Sequence, residues 1–113
     1  MVPPQEELEA KLPVTKPNKA TLESPPSTAA QATWLGHAAM LLQVEGWNVL
    51  ADPIFSERCS MSQRVGPKRV RPSPVQAEDL PPVDVVVISH NHYDHLDYNS
   101  VMGLAQKDPP PLW

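Results

Sequence analysis

Val83-Asp84-Val85-Val86-Val87-Ile88-Ser89-His90-Asn91-His92-Tyr93-Asp94-His95 is the stretch that decides the fold. The four consecutive β-branched residues after Asp84 predict a strand buried on both faces, as in a sheet covered by another layer. The strand runs into a segment holding three of the four histidines within six positions, with a carboxylate among them. Neutral imidazole and carboxylate are preferred donors for zinc and iron. Alternate residues of an extended chain point the same way, so His90 and His92 converge on one metal. A turn after His92 carries Asp94 and His95 to a neighbouring position, where a second metal fits. Two metals about 3.5–4 Å apart clamp a reacting phosphate between them. A buried strand is a stiff support for such a loop.

Upstream, Ala32-Thr33-Trp34-Leu35 is a strand candidate broken by Gly36. Ala38 to Glu45 is apolar enough for helix or strand, but Glu45-Gly46 followed by Trp47-Asn48-Val49-Leu50-Ala51 favours a hairpin. Asp52-Pro53 ends the second strand of that hairpin, because proline cannot continue a central ladder. Pro53 to Val75 reads as a polar loop that carries Arg64, Lys68, Arg69 and Arg71. Downstream, Leu96 to Lys107 has helical spacing, with Asp97 or Asn99 as cap and Asp108-Pro109 as stop.

The chain has 113 residues and 15 prolines, six of them before residue 27 and three at 109–111. Each proline removes a backbone donor and fixes φ, so both ends resist packing as helix or central strand. Residues 1–30 are therefore expected to form a disordered lead-in, with a helical turn or two at Glu6–Leu12 before Pro13. The foldable part runs from about Ala30 to Gln106, too short for a full two-layer enzyme. The net charge of −4 argues against a general nucleic-acid binder, and the single cysteine, Cys59, makes no internal disulfide. No apolar run approaches the roughly 20 residues that cross a bilayer, and the acidic, proline-bearing N-terminus is not a signal peptide.

The His90-x-His92-x-Asp94-His95 pattern, directly after a hydrophobic strand, resembles the metallo-β-lactamase superfamily. Thr33–Ala38, Asp52–Ser56, Gly66–Arg69, Leu80–Asp84 and the run Ile88–Val101 are together similar to the N-acyl-phosphatidylethanolamine-hydrolysing phospholipase D family. So are Glu6-Glu7-Leu8, Leu12-Pro13-Val14 and Lys16-Pro17. The resemblance implies an α/β fold, the first half of an αβ/βα sandwich on residues 31–107, between the lead-in (1–30) and a proline-rich tail (108–113). It implies two Zn2+ ions, one on His90 and His92 and one on Asp94 and His95, with Asp94 also catalytic. A metal-activated water then attacks the phosphodiester, giving phosphatidic acid and an N-acylethanolamine. It further implies a phospholipid substrate, peripheral attachment to intracellular membranes of the Golgi or endosomal kind, and a homodimer. The family draws more histidines and a bridging aspartate from segments downstream of the last helix, so each zinc here keeps two protein donors where a catalytic zinc usually has three. The expectation is an N-terminal part with little or no turnover alone. Another hydrolase of the superfamily, lactonase- or nuclease-like, and a non-catalytic fragment are the alternatives. The Asp97–Val101 extension favours the lipase.

Further candidates carry two readings each. His37 is a turn residue after Gly36 or a support beside the metals, and Asp52 is strand-end turn chemistry or a carboxylate that orients a metal-binding histidine. Tyr93 lines the pocket or packs under the loop. Lys68, Arg69 and Arg71 are solvated loop charges or contacts to lipid phosphate and an anionic membrane surface. Trp34 and Trp47 are expected in the core rather than against lipid, because their rings bury large apolar area. Cys59 is read as an ordinary loop thiol.

Overall fold

The computed structural model describes residues 2–113. Its sheet is organised by the Glu45-Gly46 turn. Both residues have positive φ, 49° and 83°, the two-residue hairpin geometry whose twist matches that of the flanking strands. This turn joins β2 (Ala39–Val44) to β3 (Trp47–Ala51) in antiparallel register, with Val44 opposite Trp47 and Leu41 opposite Leu50. β1 (Gln31–Gly36) lies antiparallel on the other side of β2. β4 (Val85–Val87) returns parallel to β3, giving a mixed sheet in the order β1-β2-β3-β4. Asn48 and Asp84 fix that parallel register. The Asn48 amide donates to Asp84 Oδ2 (2.7 Å), and the Asp84 amide donates to the Asn48 carbonyl (2.9 Å).

One face of the sheet is covered. Leu35, Leu41, Leu50 and Val86 point into a core closed by Ile54, Val75, Leu80 and Leu104. Leu104 belongs to α3 (Tyr98–Ala105), whose N-cap is Asp97, accepting from the Ser100 amide at 3.1 Å. The other face stays open. Trp34 and Trp47 are 66% and 58% exposed, so the expectation that they pack in the core is corrected. Register explains it: Trp34 stands opposite Met40, on the side where no described residue forms a covering layer. The same alternation leaves Val86 buried but Val87 49% exposed, so β4 is not buried on both faces as its composition suggests.

Both termini are more ordered than their proline content predicts. The lead-in contains α1 (Gln5–Lys11) and α2 (Lys19–Glu23), with Leu8 and Leu22 buried. Helix forms where prolines are absent, and α2 is held by the buried Gln43, whose amide donates to the Leu22 carbonyl (2.8 Å). The tail pairs with β4: the Val86 amide donates to Leu112 O (2.8 Å) and the Leu112 amide to Asp84 O (2.9 Å). Leu112, directly after three prolines, still has an N–H, and that donor makes the bridge. No described helix is long and apolar enough to cross a membrane.

Candidate metal centre

Three strand ends meet at one edge of the sheet, and each delivers a polar side chain. β1 ends at Gly36 (φ 99°), and the following His37 also takes positive φ, 50°. β3 ends at Ala51, and Asp52 takes φ 41° while its amide donates to Val87 O (2.8 Å). Such φ values are uncommon outside glycine and gather at functional sites. β4 runs into Ser89 and the histidine loop. There the His95 and Leu96 amides both donate to His92 O, at 2.9 and 2.7 Å, closing one helical turn. That turn swings Asp94 and His95 back towards the sheet.

Asp52 braces the loop. Its Oδ1 accepts from the Ser89 amide (2.7 Å), and its Oδ2 accepts from the Ser89 hydroxyl (2.7 Å) and lies 2.9 Å from His95 Nδ1. Burial raises the Asp52 carboxyl, but the Ser89 amide, His95 and the Ser89 hydroxyl outweigh it and hold the group below its ordinary value. A carboxylate at Nδ1 places the His95 proton there and leaves the Nε2 lone pair free, as a metal-binding imidazole requires. Ser89 extends the same logic. Its one hydroxyl proton goes to Asp52, so His90 Nδ1, 2.8 Å from the oxygen, is the donor and its Nε2 is left unprotonated.

Asp94 sits between two imidazoles, with Oδ2 2.9 Å from His37 Nε2 and 3.5 Å from His95 Nε2. Burial raises its carboxyl, while the His37 hydrogen bond, its own amide and the charges of His95 and His37 hold it below the usual range. Donor atoms of His37, Asp94 and His95 all lie within 4.8 Å of one another, a spacing one cation fits. His90 and His92 converge as well, with His90 Nε2 3.1 Å from His92 Nδ1 and the His90 ring centroid 4.0 Å from that of His95. The structure thus gathers His37, His90, His92, His95, Asp52 and Asp94. Imidazole nitrogens with one half-buried carboxylate are a donor set for a borderline divalent metal.

The residues around this cluster divide. Tyr93 is 54% exposed. Lys68 pairs with Glu57 at 3.2 Å on the surface. Arg69 reaches under the site: its Nη1 donates to the Ile54 (3.3 Å) and Ser56 (3.5 Å) carbonyls, and a Cβ on Gly36 would stand 3.2 Å from its Nη2. Burial draws the Arg69 guanidinium below its ordinary value, with Asp97 opposing. Among the described residues, two buried side-chain nitrogens have no hydrogen-bond partner, Arg69 Nε and Arg71 Nη1. Both arginines line a cleft of about 680 Å³ that reaches His37 and Asp94 and is otherwise walled by Trp34, Ile54 and Val70 among others. Cys59 also lines it. Sequence reasoning missed Ser89 here and put Trp34 in the core. The available signals were the serine immediately before the first histidine and the short Trp34-Leu35-Gly36-His37 spacing; the Trp34 indole N–H donates to the His37 carbonyl (2.9 Å).

Comparison with known proteins agrees with the loop. Residues 47–113 match the β-lactamase superfamily domain. The chain belongs to that superfamily. Its mixed sheet and histidine loop are a partial metallo-β-lactamase fold, as the sequence pattern implied. An uncharacterised protein of Mycobacterium tuberculosis is 44% identical over 103 residues, covering 91% of this chain and 27% of the relative. The N-acyl-phosphatidylethanolamine-hydrolyzing phospholipase D 1 of Caenorhabditis elegans is 46% identical over 82 residues, 73% of this chain and 23% of the relative. A metal-dependent hydrolase of Aeropyrum pernix is 40% identical over 80 residues, 71% of this chain and 27% of the relative. The chain spans about a quarter of the length of these relatives.

Proposed function

We propose that this chain contributes the first metal-binding loop of a zinc-dependent, phospholipase D-type hydrolase acting on N-acyl-phosphatidylethanolamine. The observation that carries the reading is the convergence of four imidazoles, Asp94 and the bracing Asp52 at the ends of three strands. The 46% identity to the nematode phospholipase D supports the substrate class. In this reading His90 and His92 hold one zinc, Asp94 and His95 the second, and His37 stands beside them through Asp94. Bound zinc supplies Lewis acidity and lowers the pKa of coordinated water. Asp52 and Ser89 keep His95 and His90 in the required tautomers. Arg69 and Arg71, which line the cleft with His37 and Asp94, meet the substrate phosphate, while Lys68 meets an anionic lipid surface. Overall, water adds to phosphorus, the bond from phosphorus to the N-acylethanolamine oxygen breaks, that oxygen takes a proton, and phosphatidic acid remains. Peripheral docking on an intracellular membrane, Golgi or endosomal, and a homodimer belong to the same reading.

The metal-dependent hydrolase of Aeropyrum pernix supports a second reading, another hydrolase of the superfamily, lactonase- or nuclease-like. The test is N-acylethanolamine release, followed by mass spectrometry, from a zinc-loaded protein containing this segment. Asp94→Ala and His95→Ala are expected to abolish it. Undiminished phospholipid hydrolysis in both variants would overturn the assignment, and hydrolysis of a lactone with none of the phospholipid would replace it with the second reading.

A further inference from the structure

We propose that residues 12–15 form a wall of the cleft beside the metal centre and set the size of the apolar group it admits, with Arg71 as the residue that positions them. Leu12, Pro13, Val14 and Thr15 line the same cleft as His37, Asp94 and Trp34. They belong to the stretch between two helices that are each tied to the body of the protein. On one side Leu8 of α1 is buried, and on the other Leu22 of α2 enters the core while its carbonyl accepts from Gln43. Pro13 and Pro17 stiffen the stretch between them. Arg71 ties it at the cleft: its Nε donates to the Leu12 carbonyl at 3.0 Å, and its Nη1 lies 3.8 Å from Glu9 Oε1. Arg71 thus does two things with one guanidinium. Nε holds the wall, and Nη1, buried and beside the Glu9 carboxylate, ties the wall to α1. Half-buried Val14 lines the cleft together with Ile54 and Val70, an apolar lining suited to a hydrocarbon group rather than a second charge.

The link to specificity rests on the cleft being the substrate site, but the wall is tested without metal or turnover, so failure of the hydrolase reading and failure of the wall are separable. The probe is N-phenyl-1-naphthylamine, a neutral apolar fluorophore, titrated into the intact chain. Val14→Asp is expected to weaken probe binding about tenfold or more, because it places a carboxylate against apolar surface. Arg71→Ala is expected to weaken binding and to speed alkylation of Cys59 by iodoacetamide several-fold, since this half-buried thiol lines the same cleft. Val65→Asp, on the exposed part of the basic loop, is expected to match the parent in both assays. Parental affinity and parental alkylation in Val14→Asp and Arg71→Ala would overturn the proposal, and so would a parent chain that does not bind the probe. Should either variant fail to fold, nuclear Overhauser contacts between the naphthyl protons and the Leu12 and Val14 methyls of the parent decide it. Their presence upholds the wall and their absence overturns it.

Discussion

The two faces of the sheet have similar apolar composition and opposite fates. On one, Thr33, Leu41, Leu50 and Val86 align across the four strands, and the last three are buried beneath Ile54, Val75, Leu80 and Leu104. On the other, Trp34, Met40, Ala51 and Val87 align just as regularly, and Trp34, Met40 and Val87 are exposed. Alternation assigns a side chain to a face, but only a neighbouring layer makes that face a core. The candidate metal centre lies at the end of the strands. It depends on the covered face for the placement of its strand ends and on polar bracing, chiefly Asp52, for orientation. Apolar packing fixes where the loop starts, and hydrogen bonds fix how its imidazoles point.

Three measurements would break or sharpen that contrast. The largest effect is expected from Leu50→Ala, which deletes a fully buried side chain beside Leu41 and Val86. It should cost about 2–5 kcal/mol in denaturant unfolding, a large share of the stability of so small a domain. A loss under 1 kcal/mol would mean the covered face is not the stabilising one. Next is Asp52→Asn, which leaves the stability of the covered face nearly intact because asparagine tolerates positive φ and its carbonyl still accepts from the Ser89 amide. It removes the carboxylate that sets the His95 tautomer, so zinc affinity by calorimetry should fall about 10–100-fold. Unchanged affinity would detach Asp52 from the metal centre. The smallest effect is expected on the open face, where Leu42→Ala should change unfolding by about 0.5 kcal/mol or less. A loss above 2 kcal/mol would show that a layer covers this face in solution.

Local chemistry was the legible part of the sequence. Glu45-Gly46 predicts a hairpin turn, and the turn needs positive φ at both positions, which glycine takes freely. Asp97 or Asn99 is the helix cap that the sequence predicts, and Asp97 supplies it: its carboxylate accepts from the Ser100 amide and hydroxyl and from the Ser56 hydroxyl (2.9 Å). The histidine spacing after a β-branched strand predicts a converging donor cluster, and the turn at His92 to Leu96 brings it about. The misreadings concern contacts between distant segments. Prolines in the lead-in suggested disorder, yet Leu22 docks because Gln43, 21 residues away, needs a partner for a buried amide. Trp34 and Trp47 suggested core, yet register turned them outward. Arg69 and Arg71 read alike in the sequence, but one reaches beneath Gly36 and the other ties down the lead-in.

The amino-acid sequence alone determined the strands, the hairpin, the helix cap and the residue types of the donor loop, because each follows from dihedral preference, side-chain alternation or hydrogen bonding a few residues apart. Tertiary structure alone decided that His37 and Asp52 join that loop, that one apolar face is covered and the other open, and that the lead-in walls a cleft. Those outcomes depend on which strand ends and loops come within a few ångströms of each other, and spacing along the chain does not encode that distance.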